Sequence, residues 1–200
     1  MALPESLAVD LNALDVEFSL HGGYALDGEE FTPAEHILGL SGRLFYRDER
    51  DRVTELGGIL GGYVNIGRLI NERVAIADVM DAETDEEHEC YCAFFSDEAW
   101  RPDLLDTVEG YPFGLLIINR ITIEPPYRGK ELGLRLLERL LASTFIPNTT
   151  IVALKPHALG HEDDQAAFDA GTAKLQAYWS RAGLRPVPKD GFGYYYTYIE

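Results

Sequence analysis

Three clusters of residues in this chain have types and spacings that do chemistry. The first is Arg128-Gly129-Lys130-Glu131-Leu132-Gly133-Leu134. It follows an apolar run over residues 115–123 that Pro125 and Pro126 stop, and it opens a stretch in which apolar residues recur at Leu132, Leu136, Leu137, Leu140 and Leu141. That order predicts strand, tight turn and helix. The first-turn amides of such a helix have no internal partner and sit at the positive end of its dipole, so a phosphate or diphosphate placed there is favoured by hydrogen bonding and by charge. Neither GxxxxGK followed by Ser or Thr, nor GxGxxG, is present.

The second cluster is His88, Cys90 and Cys92. On a helix, residues two apart point about 200° apart and cannot share an ion; on a strand they share a face but lack a fourth ligand. Reduced, half-buried thiols are expected instead. The third is His157 and His161, with Glu162, Asp163 and Asp164 beside them. Their spacing suits a metal only on a helix, and Pro156 and Gly160 predict a loop in which Asp163 or Asp164 caps the helix that follows. No metal is expected at either place.

The run from Ile123 through Pro125, Tyr127, Arg128, Gly129, Lys130, Leu132 and Gly133 resembles the acyl-CoA-binding motif of the GNAT N-acetyltransferase superfamily, whose core reads Gln or Arg, two residues, Gly, one residue, Gly or Ala. Arg128 and Gly133 match, and Glu131 stands at the place of the first motif glycine. Further on, Leu175, Tyr178, Trp179, Gly183 and Leu184 resemble the family's helix that ends in Tyr-x-x-x-Gly-Phe. In register with Gly183, Trp179 takes the tyrosine's place and Tyr178 lies one residue off.

The resemblance covers residues 114–199, with strand, turn, helix, strand, helix and strand in the family's order. It implies an α/β (α+β) fold, a GNAT-like mixed, mostly antiparallel central sheet flanked by helices, as a single domain over 1–200. It also implies acetyl-CoA as the acyl-donor cosubstrate and an amine of a small molecule or peptide as acceptor. The backbone of Ile121 and Ile123 would meet the thioester carbonyl and pantetheine. The diphosphate would lie on amides of Gly129, Lys130, Leu132, Gly133 and Leu134, with charge added by Arg128 and Lys130.

Acyl transfer from a thioester to an amine needs a deprotonated amine, a donor facing the carbonyl and a proton for the departing thiolate. Tyr178 is the first candidate acid, because a phenol with a pKa of about 10 can protonate a thiolate. Tyr195 is the second, and Glu124, just beyond the strand, is the candidate base. The plainer roles for these residues are core packing for Tyr178, an exposed strand-end carboxylate for Glu124, and a solvated turn for Arg128 and Lys130. The carboxylate of Glu131 is expected either to oppose a bound phosphate or to turn away and pair with Lys130 or Arg135. A different class of function fits the same departures: a non-catalytic binding protein that keeps the fold with a degenerate CoA site.

Composition bounds these readings. With 46% hydrophobic and 11% aromatic residues in 200, the chain has the material for a full core. No apolar run reaches the length of a membrane span and the first residues lack a basic n-region, so a cytoplasmic protein is expected. The formal charge of −17 argues against a nucleic-acid partner and tilts the acceptor towards an amine-bearing, even cationic, one. A homodimer remains open.

The elements that must position these groups are legible in outline. Residues 14–20 alternate as a half-buried strand; residues 36–46 and 53–66 read as two more strands joined by the charged tip RDERDR, with Gly57, Gly58, Gly61 and Gly62 marking a bulge or a close approach of backbone. Residues 69–98 read as helix, broken or continuous, starting near Thr84 and Asp85, with the acidic run as a solvated face. Residues 97–112 read as a surface connection. After the motif helix come a strand at 149–155, a helix at 164–182 closed by Gly183, and a terminal aromatic strand.

Overall fold

A computed structural model gives the structure of residues 14–22, 33–81, 85–144, 146–158, 164–189 and 191–199. Alternation does what it should in β1 (Leu14–His21): Leu14, Val16, Phe18 and Leu20 pack inward, while Asp15, Glu17 and His21 are exposed. Antiparallel pairing carries the chain through β2 (Ile37–Arg47) and β3 (Val53–Asn65). At the charged tip between them, the Asp48 carboxylate accepts the N–H groups of Arg50 and Arg52, each at 2.9 Å.

The remaining elements are α1 (Ile66–Glu72), α2 (Ile76–Met80), α3 (Asp85–Phe94), the short hairpin β4 (Phe95–Ser96) and β5 (Ala99–Trp100), and α4 (Pro102–Leu105). Then follow β6 (Gly114–Ile123), α5 (Leu132–Leu141), β7 (Thr150–Leu154), α6 (Gln165–Ser180), β8 (Arg185–Pro186) and β9 (Tyr195–Ile199). The main sheet runs β1-β2-β3-β6-β7-β9-β8, and every neighbouring pair is antiparallel except β6 with β7. The fold is therefore a mixed, mostly antiparallel sheet flanked by helices, as expected. No helix among the described residues is long and apolar enough to cross a membrane.

Each face of the sheet has its own core. On one, α1 to α4 and the short hairpin pack Leu69, Val79, Phe94 and Trp100 against Leu115, Ile117, Ile151 and Tyr196. On the other, α5 and α6 pack Leu136, Leu137, Leu140 and Trp179 against Leu116, Ile118, Val152 and Leu154. The leucine stripe of α5 is the spacing read from the sequence, with Leu132, Leu136, Leu137 and Leu140 buried and Leu141 partly so.

Two segments differ from their expected form. The helical reading of 69–98 resolves into three short helices, because Arg73 adopts a left-handed φ of 59° that ends α1. The first, α1, is capped by Asn65, whose side chain accepts the Arg68 N–H at 2.8 Å, and α2 by the carboxylate of Glu98 from outside the helix. Thr84 lies outside the described residues.

The second correction concerns 97–112, which is not a surface connection. Trp100 is 2% exposed, stacks on Phe95 with centroids 4.3 Å apart, and donates its Nε1–H to the Pro112 carbonyl at 2.8 Å. Local polarity in this stretch hid a buried aromatic anchor.

The glycines of β3 answer to a close approach. A Cβ on Gly57 or Gly61 would lie 2.2 Å from the carbonyl oxygen of Thr122 or Ile117 on β6. Between them the ladder slips: Gly61 faces Ile118 and Leu60 faces Arg120, which leaves Asn119 as an extra residue, a bulge in β6. The bulge changes which way the strand's side chains point. Before it, Leu116 and Ile118 face α5 and α6; after it, Ile121 and Ile123 do, and Arg120 and Thr122 stand exposed on the opposite side.

Candidate functional site

The parallel pairing of β6 with β7 runs only from Gly114 opposite Thr150 to Ile118 opposite Leu154. Beyond that point β6 continues through its bulge to Ile123, while β7 ends at Leu154 and is followed two residues on by Pro156, which has no N–H to extend a ladder. The strands part, and a cleft of about 670 Å³ opens between them.

The lining comes from both sides of the sheet. Leu60, Asn119, Arg120 and Glu86 of α3 line it on one side; Ile121, Leu175 and Trp179 line it on the side of α5 and α6. Lys155 and His157, from the segment after β7, stand between.

At the α5 side lies the turn singled out in the sequence. Tyr127 is buried, and Arg128 folds back so that its Nε–H donates to the Ile123 carbonyl at 2.9 Å. Gly129 takes a φ of 77°, which an L side chain rarely adopts, although a Cβ there would meet nothing within 4 Å; conformation rather than space selects glycine. Glu131 is also left-handed, at φ 60°, and is the N-cap residue of α5 without a capping hydrogen bond from its side chain. Its carboxylate instead pairs with Arg181 at 2.7 Å, neither with Lys130 nor with Arg135.

The first turn of α5 is partly engaged by α6. Tyr178 Oη accepts the Leu134 N–H at 2.9 Å, and its ring meets Trp179 edge to face with centroids 4.7 Å apart. Gly133 lies beneath both: a Cβ there would be 3.3 Å from Tyr178 Oη and 3.6 Å from Ile121 Cγ2. Burial, chiefly, raises the Tyr178 pKa above the ordinary phenol value, so the hydroxyl holds its proton across the neutral range.

His157 places its Nδ1 3.1 Å from the Lys155 carbonyl. A carbonyl only accepts, so Nδ1 carries the hydrogen and Nε2 is the basic nitrogen. The Lys155 ammonium is paired with Glu89 and lies 5.7 Å from the centre of the Tyr194 ring. The acidic face of α3 is thus not wholly solvated: Glu89 holds Lys155, and Glu86 lines the cleft.

The structure brings together the turn from Arg128 to Leu134, Tyr178 and Ile121. It leaves Glu124 exposed where β6 ends, outside the cleft lining, and Tyr195 half-buried in β9. Cys90 is fully buried in α3, where burial pushes its thiol pKa up, and Cys92 is half-exposed with its Sγ 3.7 Å from His88 Nε2. His161 lies outside the described residues.

Asn119, Arg120, Lys155 and His157 were not singled out in the sequence as cleft residues. One signal was there: Asn119-Arg120 interrupts an otherwise apolar run, which is the composition of a strand that leaves the core.

No protein-family model matches the chain, and no curated protein matches it. Among solved structures, it is similar to Arabidopsis thaliana NAA60 in complex with a bisubstrate analogue, at 14% identity and a TM-score of 0.39, over 82% of this chain and 77% of that one. A likeness at that level establishes neither family nor activity.

Proposed function

We propose that the protein is an acyl-CoA-dependent N-acyltransferase that moves an acetyl group from acetyl-CoA to an amine. The observation that carries the reading is the cleft at the parting of β6 and β7, lined from both faces of the sheet, which lets a donor approach from the α5 side and an acceptor from the α3 side. The turn supports it, with amides from Gly129 to Gly133 for the diphosphate and Arg128 and Lys130 beside them. Ile121 and Ile123 supply strand backbone for the pantetheine and the thioester carbonyl.

In this reading the amine nitrogen attacks the thioester carbon; the new N–C bond forms as the C–S bond breaks. The amine's proton passes to His157 Nε2, which lines the cleft, in preference to Glu124, which does not. The departing thiolate takes the proton of Tyr178, which stands behind the cleft residue Trp179 and whose oxygen already accepts from Leu134 and so has its own O–H left to give. Acetyl-CoA, the amine, CoA and the amide balance with one proton carried through.

A non-catalytic binding protein is the second reading. It is favoured by the Tyr178 hydroxyl seated on a turn amide and by the pairing of Glu131 with Arg181 across the same turn. Calorimetric titration with CoA separates the two. Binding in the micromolar to low millimolar range is expected; no heat and no thermal shift at millimolar CoA would reject the transferase.

A further inference from the structure

We infer that the acceptor amine carries a carboxylate within a few bonds of its nitrogen, and that Arg120 is the residue that selects it. The inference rests on the transferase reading and names the acceptor class for the same cleft. Arg120 owes its position to the bulge: Asn119 shifts the phase of β6, so the Arg120 side chain leaves the face of α5 and α6 and lines the cleft from the acceptor side, beside Leu60 of β3.

Charge makes the placement informative. The chain has 34 acidic residues against 17 basic ones, and Arg43, Arg47, Arg52, Arg68, Arg101 and Arg181 each pair with a carboxylate. Among the described residues no carboxylate pairs with Arg50, Arg73, Arg120, Arg128, Arg135, Arg139 or Arg185, and of these seven only Arg120 lines the cleft. Lys155 and His157 line the same cleft, Lys155 already neutralised by Glu89, and Glu86 is the one acidic residue in the lining. In a protein of charge −17, an arginine that lines the cleft without a carboxylate partner is mismatched to a polyamine and matched to an anionic oxygen pair, which a guanidinium binds through two parallel N–H donors. Leu60, Leu175 and Trp179 add apolar wall for the rest of the acceptor. The net charge taken alone points to a cationic partner; the local arrangement does not.

The test uses the full-length protein with acetyl-CoA and follows CoA release. The acceptors are the twenty standard L-amino acids, β-alanine and 4-aminobutanoate, the amides of the amino acids, and spermidine. Turnover is expected for at least one free acid, with kcat/KM at least tenfold above that of its amide and above spermidine. In Arg120→Gln that ratio should fall at least tenfold through KM, and Arg120→Lys should restore part of it, with unfolding midpoints confirming that both variants are folded. Equal turnover of acids and amides, preference for spermidine, an unchanged ratio in Arg120→Gln, or no turnover of any acid while CoA still binds would each overturn the inference. Absence of CoA binding would instead remove the transferase reading beneath it.

Discussion

The phenolic oxygen of Tyr178 accepts the backbone N–H of Leu134 at 2.9 Å, which ties the end of α6 to the first turn of α5. Tyr178→Phe deletes the acceptor and leaves that amide to water, at a cost of about 1 kcal/mol in stability. If Tyr178 is the thiolate's acid, as proposed, the variant loses about 10²-fold in kcat with CoA affinity within about threefold of wild type. Stopped thiol release and calorimetry measure the two; wild-type kcat would return the proton to Tyr195 or water.

Glu131→Gly tests the departure from the motif. Glycine relieves a left-handed residue worth about 1 kcal/mol and forfeits an exposed ion pair with Arg181 worth about as much or less, so stability should hardly change. A carboxylate about 5 Å from a phosphate costs about 0.8 kcal/mol in a water-like medium, a few-fold in affinity. The variant also frees Arg181. CoA is therefore expected to bind several-fold tighter at low salt, with the gain shrinking as salt rises. Weaker binding at low salt would mean that Glu131 supports the turn.

His157→Gln keeps a side chain of similar reach that lacks a basic nitrogen. The expected loss is about 10²-fold or more in kcat/KM, with CoA affinity unchanged within about threefold. Turnover at the wild-type rate would reassign the base.

Asp103 gives a pH signature distinct from catalysis. Arg101 holds its carboxylate through two contacts, Nη2 at 2.8 Å and Nε at 3.2 Å, and also donates to the carbonyls of Ala93 and Pro188, so it staples α3, α4 and the loop before β9. The hydrogen bond from Arg101, above all, lowers the Asp103 pKa. A depressed folded pKa means stabilisation that is complete above the unfolded value of about 3.9 and is lost as pH falls through the lower folded value. Asp103→Asn should cost about 2 kcal/mol at pH 7 in urea unfolding, and the gap to wild type should narrow below about pH 4. A constant gap across that window would place the effect elsewhere.

The strands whose side chains alternate, such as Leu14 to Leu20, and the helix whose leucines recur every three or four residues were legible because one buried face writes its period into the sequence. Trp100 was not, since its partner Phe95 precedes the polar stretch and Pro112 lies twelve residues on at its far end, so nothing next to it in sequence marks a buried anchor. The turn at Arg128 to Leu134 was readable from composition, but the engagement of Leu134 by Tyr178 joins residues 44 apart and has no local signal. The cleft depends on where a parallel pair stops, and that is fixed by the bulge at Asn119 and by Pro156 together. His157 read only as part of a polar loop, because its tautomer is set by a carbonyl that only the folded chain supplies.

The bulge also sets how the gene tolerates change. β6 is written in two phases, one before Asn119 and one after, and the bulge absorbs the one extra residue between them. A substitution at Asn119 leaves the count intact. Straightening the bulge with Asn119 kept would turn Ile121 and Ile123 out to water and drive Arg120 and Thr122 against α5 and α6, whereas loss of that one codon would restore plain alternation, with Ile118 and Ile121 inward and Arg120 between them outward. For this strand, what inheritance must keep is the parity on either side of the bulge, and loss of the extra residue keeps it.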